Sequence, residues 1–108
     1  MDTKTANQVT SLPGSMSEDE VKQYKEQHDC EVVLLELAGK KAWFRSPDLK
    51  IMAAAQAQKS TVDFYRVIAK NCMIAGDTDL INRDKYFIAL QSKLDAVINP
   101  FEVQVKNL

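Results

Sequence analysis

Ala42-Trp43-Phe44-Arg45-Ser46-Pro47-Asp48 decides the fold, because the chain changes there from strand periodicity to helix periodicity. Upstream, Glu31-Val32-Val33-Leu34-Leu35-Glu36-Leu37 is dense in β-formers. Val33, Leu35 and Leu37 make one face fully apolar, and Val32, Leu34 and Glu36 share the other. Ala38-Gly39-Lys40-Lys41 reads as a turn, with glycine available for a positive φ. Lys41 to Arg45 then closes a hairpin. A lone hairpin is marginal in water. Its apolar face therefore needs the helices or a third strand, for which the candidates are the alternating Phe101-Glu102-Val103-Gln104-Val105 or a partner chain.

Downstream of the joint the chain reads as helix to Asn99. Ser46 is the expected N-cap of the first of these helices, with Pro47 and Asp48 in its opening turn. Leu49, Met52, Ala53 and Gln56 share its face, and a break follows at Lys59-Ser60. Ser60 caps again. Val62, Tyr65, Ile68, Ala69, Cys72 and Met73 then form a stripe of period 3.6, which Gly76 is expected to end as a left-handed C-terminal residue. Asp77 or Asp79 is placed to cap a short turn, and Asn82 to cap a final helix lined by Phe87, Leu90, Leu94, Val97 and Ile98. Asn99-Pro100 stops that helix.

Ahead of the hairpin, Ser17-Glu18-Asp19-Glu20 has the form of a capping box, and the helix it starts runs to about His28. Only Val21 and Tyr24 make an apolar pair on it, so it is expected to pack weakly at one edge. The expected organisation is a flexible N-terminal tail over 1–16, a single α+β domain over 17–100, and a C-terminal extension over 101–108, strand or disordered. The fold class is α+β: an N-terminal β-hairpin, with room for a third strand, packed on a small bundle of three to four helices.

Composition narrows the functions. A chain of 108 residues, 45% hydrophobic, has one core. A formal charge of −1 argues against an electrostatic nucleic-acid binder. No apolar run, Val32 to Leu35 among them, comes near the roughly 20 residues of a membrane span. No charged-then-apolar leader pattern opens the chain, so a cytoplasmic protein is expected. Cys30 and Cys72 lack metal-ligand spacing and read as buried free thiols.

Catalytic chemistry finds little support. His28, the one histidine, sits at a helix end without a partner set for acid–base work. Asp77, Asp79 and Asp84 lack the spacing of a calcium loop and its closing Glu, so capping is their stronger reading. No catalytic, cofactor or metal residue is assigned. Trp43 and Phe44 point to opposite faces of a short strand. Either one of them is exposed as a partner-binding residue beside Arg45, or both faces are covered, one by helices and one by the N-terminal helix.

In its order of elements the chain resembles the small tail assembly chaperones of tailed bacteriophages and prophages. The resemblance covers about Glu31 to Ile98. It rests on the aromatic-Arg-x-Pro joint Trp43-Phe44-Arg45-Ser46-Pro47-Asp48, on Cys72-Met73-Ile74-Ala75-Gly76-Asp77 after an apolar helix, and on a helix opening near Asp84. It implies a non-enzymatic protein, with no cofactor, that coats a long, apolar, helical tape-measure protein until the tail tube forms. It also implies many small copies, hence a possible homo-oligomer, and a longer form made by ribosomal frameshifting near the end of the gene. The other classes are an adaptor that recruits a partner strand at the hairpin edge, and a small enzyme subunit or toxin–antitoxin component. The enzyme class is disfavoured for want of a His/Asp/Glu/Cys set at usable spacing.

Overall fold

A computed structural model describes residues 15–101 and 104–108. The expected N-terminal tail lies almost wholly outside the described residues. Ser17 accepts a hydrogen bond from the Glu20 amide at 3.1 Å, and the Glu20 carboxylate accepts one from the Ser17 amide at 2.8 Å. This capping box starts α1 (Glu18–His28) where the sequence places it. The helix closes at Asp29, which adopts the left-handed conformation at φ 49.

The hairpin follows as β1 (Val32–Leu37) and β2 (Lys40–Arg45), antiparallel with Leu37 opposite Lys40 and Val32 opposite Arg45. The turn is tighter than expected. Ala38 at φ 53 and Gly39 at φ 76 make a two-residue connection with both central residues at positive φ, the kind whose twist matches that of its strands.

The third strand is not the C-terminal segment. It is β3 (Met73–Gly76), antiparallel to β2, so the sheet order is β1-β2-β3 with β2 in the centre. Gly76 is accordingly no helix terminus. It lies opposite Ala42 at φ 117, where a Cβ would stand 2.5 Å from the Ala42 Cα and 2.5 Å from the Lys41 carbonyl oxygen. Only glycine lets the two backbones approach so closely. The register shifts between Trp43, opposite Ala75, and Phe44, opposite Met73, so Ile74 is the extra residue of a bulge. Of the expected C-terminal strand, Glu102 and Val103 lie outside the described residues, and Gln104 to Leu108 has no regular structure.

Four helices complete the α+β fold: α2 (Leu49–Gln56), α3 (Thr61–Cys72), the single turn α4 (Asp79–Asn82) and α5 (Asp84–Ile98). Ser60 caps α3 as expected, accepting from the Asp63 amide at 3.0 Å. Two other caps differ. The cap of α2 is Asp48, which accepts from the Ile51 amide at 2.8 Å. Ser46 is instead drawn to the base of the hairpin, where its amide donates to the Glu31 carbonyl at 2.8 Å and its hydroxyl accepts from the Glu31 amide at 3.0 Å. At α5 the cap position falls to Arg83 without a side-chain bond, because Asn82 is consumed as the last residue of α4.

The core forms between one face of the sheet and these helices. It gathers Leu35, Ala42 and Phe44 from the strands, Ile68, Ala69 and Cys72 from α3, Leu80 and Ile81 from α4, and Phe87, Leu90, Leu94 and Val97 from α5. The alternation of β1 is as expected: Leu35 is buried in this core, and Val33 and Leu37 pack against it.

Candidate functional site

The joint residues occupy the central strand, and this governs their exposure. Phe44 is wholly buried on the helical side. Trp43 projects to the other face, between Leu34 on β1 and Ala75 on β3, and is only 8% exposed. Both faces of β2 are therefore covered. Arg45 is half-buried, its Nε donating to the Ser46 carbonyl at 3.1 Å. Its guanidinium stands beside the Tyr24 hydroxyl of α1. Burial raises the Tyr24 pKa, and Arg45 opposes that rise.

The surface carries large apolar side chains elsewhere. Leu34 on β1 is 44% exposed, Leu49 at the start of α2 is 88% exposed, Val62 in the first turn of α3 is half out, and Ile88 on α5 is 69% exposed. In the C-terminal segment Phe101, Val105 and Leu108 are exposed too. β1 is also a terminal strand of the sheet, six residues long and carrying one charged side chain, Glu36. Such an edge offers unpaired backbone groups to another strand.

A polar cluster that spacing does not reveal closes the far end of the hairpin. Lys40 Nζ lies 3.2 Å from Asp77 Oδ2, 3.7 Å from Asp79 Oδ2 and 5.4 Å from the centre of the Tyr86 ring. Thr78 holds the cap position of α4 without a side-chain bond, and Asp77, one residue earlier, accepts from the Asp79 amide at 2.9 Å. That bond is the largest cause of the lowered Asp77 pKa, with Lys40 adding to it. Lys40 is in turn held protonated, chiefly by its hydrogen bond to Asp77. A carboxylate with a depressed pKa stabilises the fold above its unfolded value of about 3.9 and loses that contribution as the pH falls. The stability gap between the wild type and Asp77→Asn is therefore expected to narrow from pH 7 to about pH 3. Urea unfolding at a series of pH values checks this. A gap that stays constant would show that Asp77 is not held below its ordinary pKa.

Both cysteines are buried and free. Burial pushes the Cys72 thiol up to about 11 and raises Cys30 as well, with Arg45 opposing both shifts. Neutral, enclosed thiols are poor nucleophiles. Neither is expected to react rapidly with Ellman's reagent at pH 8 in the native protein, and both should react once guanidinium unfolds it. A fast native phase would contradict this placement. His28 is exposed and stacks on Tyr24, ring centres 4.2 Å apart. Among the described residues no group of three His, Cys, Asp or Glu side chains could hold a metal ion. No helix among them is long and apolar enough to cross a membrane.

Sequence reasoning singled out Trp43, Phe44 and Arg45, and the structure brings Arg45 together with Tyr24 but leaves neither aromatic ring at the surface. The Lys40 cluster joins residues 37 positions apart, and only the pairing of β2 with β3 unites them. Comparison with known proteins finds no matching family model, no matching curated relative and no matching solved structure.

Proposed function

We propose that this chain is a non-enzymatic assembly chaperone of the bacteriophage or prophage tail type, which binds a tape-measure-like helical protein in the bacterial cytoplasm and keeps it soluble. The observation that carries the reading is the set of apolar side chains held out on a small domain: Leu34, Leu49, Val62 and Ile88. Side chains of this kind suit the shielding of an apolar helical client by many small copies. The resemblance over Glu31 to Ile98 supplies the identity of that client. Nucleic acid and membrane lipid have no place in the reading, and self-association into a homo-oligomer is compatible with it.

The test is co-expression with a phage tape-measure protein. The soluble yield of that product is expected to rise, and the two proteins to co-elute on size exclusion. Ile88→Lys and Leu49→Lys, each at an exposed position, should weaken the rescue while leaving thermal unfolding nearly unchanged. Unaltered client solubility with no complex would overturn the reading. A second reading, an adaptor that recruits a strand, is favoured by β1 standing at the rim of the sheet. Leu34→Lys separates the two. A charge there discourages strand addition, so it abolishes an adaptor's partner binding, whereas Ile88→Lys leaves that binding intact.

A further inference from the structure

The aromatic pair of the central strand is covered on both faces, but only one face adjoins the core. Every residue of that core, and every half-buried apolar side chain packed against it, comes from the chain between Val33 and Ile98. Trp43 belongs to neither group, yet it is 8% exposed. Its neighbours across the strands, Leu34 and Ala75, are likewise outside the core. The helices α3 and α5 pack on the strands from the core side, whereas α1 meets the sheet at β1, and its Tyr24 stands beside Arg45, which shares the Trp43 face of β2.

The attachment of α1 is slight. It has no buried residue, and only Val21, Tyr24 and Lys25 are half-buried. Among the described residues its side-chain ties to the hairpin are Tyr24 beside Arg45 and the Lys25–Glu31 pair at 3.1 Å, whose side chains are 40% and 37% exposed. Exposed pairs of this kind add little to stability. Eleven residues are also too few to stay helical once detached. Between α1 and β1 stands Asp29 in the left-handed conformation, a single residue at which the chain changes direction.

We propose that α1 is a releasable cover: it opens and melts while the core stays folded, and its release uncovers Trp43 and Val32 beside the already exposed Leu34. This is a property of the folded chain alone and does not depend on the client reading above. Local opening of weakly packed segments, well below the cost of global unfolding, is general in proteins. Here the opening would join Trp43 and Val32 to the exposed Leu34 in an apolar row beside an open strand edge.

Hydrogen exchange on the full-length chain tests it, because the indole N–H of the sole tryptophan reports on that face. In the wild type, the amides of α1 and the Trp43 Nε1–H are expected to exchange at least about tenfold faster than the slowest amides of α3 and α5. Ser17→Ala removes the helix cap at an exposed site. It should speed both α1 and the indole by about fivefold and leave α3 and α5 unchanged. Tyr24→Ala should do the same by removing the main anchor. Exchange of the indole at the pace of α5 in every variant would overturn the proposal. So would faster α1 amides without a faster indole, since α1 would then fray without uncovering Trp43.

Discussion

Gly76→Ala is expected to cost about 4 kcal/mol or more, a large part of the roughly 5–15 kcal/mol that holds a small domain together. Two causes act together. The added Cβ would stand 2.5 Å from the Ala42 Cα and from the Lys41 carbonyl oxygen, and both are backbone atoms that no rotamer change moves aside. The φ of 117 is also one that an L-residue rarely adopts. Relief requires β3 to draw away from β2, and with it the Asp77 amide, which bonds the Lys41 carbonyl at 2.9 Å. Gly39→Ala is the control. Its φ of 76 carries the left-handed penalty of about 1–2 kcal/mol, but no atom lies within 4 Å of the new methyl. Urea unfolding of the two variants separates steric collision from torsional strain. A Gly76→Ala midpoint equal to that of Gly39→Ala would contradict the close approach of the strands.

Ile68→Asp is expected to leave the chain largely unfolded at pH 7. Ile68 is wholly buried on α3 among apolar neighbours, so an ionised carboxylate there would have no partner. Losses of more than about 4–5 kcal/mol belong to this class of change. The penalty falls on the charged form. Stability should therefore recover in part as the pH drops toward the unfolded aspartate value of about 3.9. Ile68→Val keeps the shape and should cost only about 0.5–1.5 kcal/mol. Leu35→Asp follows the same logic on β1, where Leu35 is buried in the same core. Cooperative unfolding of Ile68→Asp near the wild-type midpoint at pH 7 would show that α3 does not face the core.

What the sequence makes legible is local. The capping box of α1, the hairpin, and the cap at Ser60 each depend on residues a few positions apart, and each is found where expected. The third strand is different. Met73-Ile74-Ala75 continues the apolar stripe of α3, and periodicity does not separate a short buried strand from one more helical turn. What decides it is β2, whose free side needs a partner and is some thirty residues away in the chain. The caps moved for a similar reason. Ser46 has two uses open to it, and the tertiary bonds to Glu31 prevail over the helix cap. Of the candidate site, Trp43, Phe44 and Arg45 are legible as a joint between two periodicities. That both rings are enclosed follows from the central position of β2, which no local pattern contains.

That central position also has a consequence during synthesis. A ribosome emits β1 and β2 first, then residues 46–72, and only afterwards the strand that completes the sheet. At about 5–20 residues per second, the far side of β2 stays bare for roughly two to six seconds after the hairpin emerges. Through that interval Ala42, Trp43 and Phe44 lie on an open strand in a crowded cell, flanked by Lys40, Lys41 and Arg45. Three like charges on one six-residue strand repel a second nascent chain that offers the same strand. In the finished protein Lys40 and Arg45 are held in place by neighbours. On the way there, they serve as gatekeepers.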